Sequence, residues 1–411
     1  MTTRPSPITD PTGPSVSLMA VGDVYVDRED PDSAYPQGDA FLAGGDVVFG
    51  NCEGVYGEGL TAAVTTGAPV IAPPRNVEAF RRAGFDVMSL ANNHAVDGGP
   101  AGVVSTVDAL TSIGIATVGA GRDIHAARTP AVIERNGLRI AFLAYASVFP
   151  HGYEAAGHRP GLAPIRSRTA YLPPTEAMWD PGAQPTIHTE ELPGDVDALR
   201  ADIAGARTSA DVVVVSVHWG DMMRPFVVMD HERRIGRTAI DAGADVVLGH
   251  HHHMLRGMEF HRGKPIWYGL GHHLFDLPDL TRRIAEVGGT LPPIDPAVDA
   301  AMDRHHDTYR LGERRGFPHL PFHADGRLTG VAVMDLGRDG VRSVGFAPAV
   351  IGPDNNPRMV DPVSDEGQRV LSYFAEACRV ADLDAPRVDT TLQMGLPPGT
   401  VAFRARTGPR G

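Results

Sequence analysis

Asp211-Val212-Val213-Val214-Val215-Ser216-Val217-His218 is the segment that decides the fold. A run this apolar on both faces reads as a fully buried strand, the kind that forms in a sheet covered by helices. Amphipathic helices are predicted on either side of it, at 196–207 and 231–242. A second apolar strand at 245–248 then runs into Gly249 and four consecutive histidines, His250–His253. The same rhythm holds nearer the N-terminus. Strands are predicted at 16–24, 46–50, 85–90 and 115–118, with helices at 76–84 and 102–113. Hairpins are expected across Asn136-Gly137, at Gly263 and across Gly337-Arg338-Asp339-Gly340, and a further helix at 364–381. Alternation of this kind gives an α/β fold with largely parallel strands.

The rhythm divides the chain. Residues 1–15 read as a disordered tail, 16–385 as one domain and 386–411 as an extended C-terminal tail. Within the domain, 277–326 is rich in Pro, Arg and His and reads as an insertion or lid with a helix around 296–309.

Composition narrows the function. The 411 residues carry a net charge of −13, which argues against nucleic acid or an anionic membrane as partner. The Pro-rich start has no apolar core of a signal peptide. No run of about 18 apolar residues offers a membrane span, so a cytoplasmic location is expected. Two cysteines, Cys52 and Cys378, exclude a disulfide scaffold and read as ordinary thiols. The unusual count is the 18 histidines.

The polar residues of interest collect at one kind of place, just past the C-terminal ends of predicted strands. They are Asp23, Asn51, Glu53, Asn92, Asn93, His94, His218 and His250–His253. Ligands bind at that edge in open α/β sheets. Carboxylate, amide and imidazole donors together suit zinc, manganese or iron more than calcium. A His-x-His pair on a strand end would put both rings on one side, because side chains repeat with period two.

These residues resemble a known family. Gly22-Asp23, Asn51-Cys52-Glu53-Gly54, Ala91-Asn92-Asn93-His94, His218-Trp219-Gly220, the segment Asp241 to His253, and Gly269-Leu270-Gly271 follow the order seen in CapA-type capsule and poly-γ-glutamate synthesis proteins. That family is similar to calcineurin-like metallophosphatases. The resemblance therefore implies an α/β sandwich of mixed sheets flanked by helices, carrying a two-metal site. It implies Asp23, Glu53 (or Asn51 in its place), Asn93, His218, His251 and His253 as ligands of a divalent transition metal (Zn, Mn or Fe), with His250 and His252 as the rival register. His94 takes the place of the general acid. The chain departs from the pattern at Tyr25, where a metal-binding histidine usually stands, and at His252, Met222 and His272.

Three functions follow from the resemblance. The first is a metal-dependent hydrolase acting on a phosphorylated, peptide or poly-γ-glutamate-like substrate. The second is a metal-independent peptide Cα epimerase, with Asp23 opposed by His272, His305 or His306 and no cofactor. The third is a non-catalytic scaffold of capsule synthesis.

Overall fold

A computed structural model describes residues 13–36, 38–63, 68–173, 182, 184–290, 311–312, 314–384, 386–389 and 395–405. The expected helix around 296–309, His305, His306 and most of the predicted N-terminal tail lie outside the described residues.

The valine run forms strand Val212–His218, and its side chains divide by period two. Val213, Val215 and Val217 pack with Leu199 and Ile203 of helix Pro193–Arg207 and with Ile235 and Ala239 of helix Asp230–Ala242. Val212 and Val214 belong to the opposite core, shared with the other sheet. A strand sandwiched this way favours apolar residues, and every position except Ser216 and the terminal His218 supplies one. Its neighbours Leu138–Ala146 and Val246–His250 run parallel to it. Lys264–Trp267, Met258–His261 and the edge strand Ala131–Arg135 complete this sheet among the described residues.

The second sheet is built around Val16–Tyr25. Val47–Cys52, Val87–Ser89 and Ala116–Val118 follow on one side in parallel, and the long hairpin Leu328–Gly337 and Gly340–Ile351 lies antiparallel on the other. The two sheets meet face to face, with the ring of Phe49 stacked 5.6 Å from that of Phe142. Helices Glu78–Ala83 and Gly99–Ser112 cover the second sheet through Phe80, Val103 and Leu110. The result is an α/β sandwich of mixed sheets flanked by helices. Residues 387–389 and 401–404 of the expected C-terminal tail are strands that extend this sheet from Gly340–Ile351. No helix among the described residues is long and apolar enough to cross a membrane.

The strand Val16–Tyr25 changes partner midway. Val16–Ala20 pairs with the antiparallel hairpin, whereas Asp23–Tyr25 pairs in parallel with His272–Phe275. The last segment has left the Gly263 hairpin and crossed to the other sheet, a separation the sequence pattern did not reveal. At the changeover, Asp23 N donates to Gly271 O at 2.9 Å. A Cβ on Gly22 would lie 2.0 Å from the same carbonyl oxygen. Gly22→Ala must therefore move backbone, and a loss of about 3 kcal/mol or more is expected. Urea unfolding measures it, and an unchanged midpoint would show that the crossing strand is not held here.

Candidate functional site

Five strands end at one buried cluster. Asp23, Asn51 and Glu53, and Asn92–His94 come from the second sheet; His218 and His250–His253 come from the first. Asp23 Oδ1 accepts from Asn51 Nδ2 at 2.8 Å and lies 3.4 Å from His250 Nδ1. Its Oδ2 accepts from the His251 backbone N–H at 3.3 Å and lies 3.4 Å from His253 Nδ1. Glu53 Oε1 stands 3.6 Å from both His218 Nε2 and His253 Nε2. Asn93 Oδ1 lies 2.6 Å from His218 Nε2. Asn51 also approaches His218 Nδ1, at 3.4 Å, so it braces ligand-type side chains from both sheets.

The histidine run does not work as the strand-period argument expected. The strand ends at His250, and His251 and His253 take φ of 101° and 55°. Positive φ in non-glycine residues costs of order 1–3 kcal/mol and is tolerated where the surroundings fix it. The turn brings His250, His251 and His253 towards the two acids and sends His252 the other way, to within 3.1 Å of Glu232 Oε1. Gly220 permits that approach, since a Cβ there would fall 2.2 Å from His252 Nε2.

Burial dominates the electrostatics. It pushes the Asp23 carboxyl up, but the imidazoles of His250, His253 and His218 outweigh it and hold the group well below the usual carboxylate range. Glu53 moves oppositely: burial, then the charges of Asp23 and Asp97, raise it well above its ordinary value. Burial lowers the imidazoles of His218 and His253, and takes His251 to about 3 and His272 to about 4. These rings are neutral near pH 7 and keep a lone pair for a ligand.

The residues fit a divalent transition ion. Both Glu53 oxygens and the Nδ1 atoms of His250, His251 and His253 are buried without a hydrogen-bond partner, as donors awaiting an ion would be. Two donor groups form, Glu53–His218–His251 and Asp23–Glu53–His253, each with its atoms within 4.8 Å of one another. Glu53 belongs to both. The rival His250/His252 register supplies no member to either group among the described residues. Tyr25 supplies none either; its ring packs between Tyr56 and Phe275.

His94 stands beside the cluster. Its Nδ1 is 2.7 Å from Asp97 Oδ2, and Asp97 is itself held by Tyr153 Oη and the Val70 backbone N–H. Asp97 was not assigned a role from sequence, although its spacing of three from His94 was available to suggest one. His272 lies next to Asp23 in strand register, with its ring 5.9 Å from that of His253. A cavity of about 890 Å³ opens onto Asn93, His94, His251 and His253. Leu277, Leu280, Ile284, Leu311 and Phe322, all from segment 277–326, line it as well.

Comparison with known proteins identifies a family for the part of the chain that carries this cluster. The family model described as "Bacterial capsule synthesis protein PGA_cap" matches residues 17–277, which include every ligand-type residue above. The "PGA biosynthesis protein CapA" of Bacillus subtilis is 30% identical over 202 residues, 49% of this chain and 45% of its own length. A "Probable polyglutamine synthesis accessory protein" of Mycobacterium tuberculosis is 34% identical over 48% of this chain and 47% of its own. The chain thus spans about half the length of these curated relatives. An uncharacterized protein of Sinorhizobium fredii is 28% identical over 69% of this chain and 70% of its own.

Proposed function

Since the chain belongs to the bacterial capsule synthesis protein PGA_cap family, we propose that it is a metal-dependent hydrolase of a phosphoester or of a γ-glutamyl or peptide amide. The observation that carries this reading is the double membership of Glu53, which gives one carboxylate to two donor groups. Asp23, Glu53, Asn93, His218, His251 and His253 would hold the ions. When bound, they supply Lewis acidity and a lowered pKa for water.

The chain's own residues account for the proton. Asp97 accepts from Nδ1–H of His94, which leaves Nε2 as the ring atom that holds and releases a proton towards the cavity. In hydrolysis the oxygen of water bonds to the carbonyl carbon or phosphorus. The bond to the leaving nitrogen or oxygen breaks, and His94 gives that atom its proton. The proton lost by water restores His94. Asn51 and the backbone N–H of His251 hold Asp23 in place throughout.

A second reading, a peptide epimerase, draws on the register of Asp23 with His272. Of the described acid–base candidates, His94 lines the cavity and His272 does not, which supports His94 as the proton donor of the hydrolase; His305 and His306 lie outside the described residues.

Elemental analysis of protein purified without a histidine tag tests the reading. Zinc, manganese or iron is expected at one to two ions per chain, with hydrolysis of phosphoester or amide substrates stopped by chelator. Solvent deuterium appearing at a peptide Cα, undiminished by chelator, would establish the epimerase instead.

A further inference from the structure

We propose that Glu232 and His252 are positioning residues, which together hold the turn that aims His251 and His253 at the two acids. This deepens the hydrolase reading and rests on it for the ions that the turn would receive. His251 and His253 both take positive φ, and such residues persist only where their surroundings fix them. One restraint is the His251 backbone N–H, which donates to Asp23 Oδ2 at 3.3 Å. The other lies between the two ligands. The buried ring of His252 turns away from the acids into a slot that is closed at both of its nitrogens. A Cβ on Gly220 would lie 2.2 Å from Nε2, and one on Gly269 would lie 2.9 Å from Nδ1. The Glu232 carboxylate stands 3.1 Å from Nε2.

The slot is anchored to the sheet. Glu232 is fully buried in the first turn of helix Asp230–Ala242, and its Oε2 accepts from the Met229 backbone N–H at 2.5 Å. Ile235 and Ala239 of that helix pack on the valine strand, so the carboxylate cannot drift. Arg256, whose side chain borders Gly269 on the same side as His252, donates to the carbonyls of Asp221 at 3.1 Å and Arg224 at 2.7 Å. It thereby steadies the loop that follows Gly220. A ring fixed in this slot limits its neighbours, because His252 shares a rigid peptide plane with His251 and another with His253. Filling space alone would not favour this pair. A carboxylate and an imidazole cost more to bury than apolar residues of similar volume. Their place directly behind two ligand-type histidines points to orientation instead.

Two measurements on the full chain separate the turn from the chemistry. The first is hydrogen exchange across residues 249–255 after chelation, where the His251 amide reports its contact with Asp23. The second is manganese affinity by calorimetry. Glu232→Ala and His252→Ala should each speed exchange in that segment about tenfold or more, as a local opening becomes easier. Each should also weaken manganese binding about 10–100-fold, the usual cost of losing a group that orients a metal ligand. Glu232→Gln keeps the size of the side chain and an acceptor for the Met229 N–H, and should return both measurements close to the parental values. The double alanine variant should be no worse than either single one, since Glu232 acts through His252. Additive losses in the double variant would overturn the proposal. So would a lower Tm in the alanine variants with exchange at 249–255 and manganese affinity unchanged, the pattern of packing alone. If the alanine variants do not fold, Glu232→Asp draws the carboxylate back by one methylene and should move both measurements the same way; unchanged values there would equally overturn the proposal. Faster exchange in the variants of a protein that binds no manganese would uphold the hold on the turn while refuting the hydrolase reading.

Discussion

Replacing Glu53 with Gln is expected to weaken both donor groups together and to lower metal affinity by more than 100-fold. Changes behind the ligands typically cost about 10–100-fold, and Glu53 is placed as a ligand itself. Hydrolysis should fall by about 10⁴-fold or more at ordinary metal concentrations, because the charge stabilisation and the activated water are lost together. The same change should have the opposite sign on the stability of the metal-free chain. Glu53 is fully buried, neither oxygen has a hydrogen-bond partner, and burial with the Asp23 charge raises its pKa. A carboxyl raised in the folded state costs stability as the pH climbs above the unfolded value of about 4.3. Gln removes that cost. Thermal unfolding at pH 7 should thus show a higher Tm for Glu53→Gln than for the parent after chelation, and a lower one with metal present. A variant that lowers Tm equally in both conditions would mean that Glu53 acts in packing alone.

The framework that carries this carboxylate was legible because the sequence repeats one device. Val212–His218 and Val16–Tyr25 are mostly apolar, as strands buried on both faces are, and each carries a chemically distinctive residue, His218 or Asp23, at or near its C-terminal end. Reading the strand ends therefore picks out Asp23, Asn51, Glu53, Asn93, His218 and the histidine run as residues of one edge. Three features were not legible. The turn at His251 and His253 depends on positive φ in residues that rarely adopt it, so no local propensity announces it. The crossing of His272–Phe275 to the other sheet depends on the close contact of Gly22 with Gly271, a tertiary fact. The ribbon of Ser167–Leu172 and Thr186–Glu191 is not announced by the sequence because it is largely exposed and carries no burial pattern. Asp97 is a different case. It follows His94 by three residues, but a carboxylate three residues beyond a histidine is common in turns. Only its convergence with Tyr153 and Val70 distinguishes it.

That convergence sets the expectation for His94. Replacing His94 with Ala should reduce kcat by about 10²–10⁴-fold, the usual contribution of a positioned proton donor. Metal content should stay at the parental level, because His94 belongs to neither donor group and its Nδ1 is committed to Asp97. Asp97→Asn should cost less. An amide in place of the carboxylate can still accept from Nδ1–H, but it can also rotate to present its NH₂, and the ring orientation is then no longer fixed. The leaving group provides the sharper measurement. A substrate whose leaving group departs as a stable anion, such as a p-nitrophenyl ester or anilide with electron-withdrawing substituents, needs little protonation. The His94→Ala deficit should shrink as leaving-group pKa falls, whereas the Glu53→Gln deficit should persist across the series. A His94→Ala deficit independent of the leaving group would remove this residue from proton transfer. It would leave Asn93, His251 and His253 as the cavity wall at which the chemistry occurs.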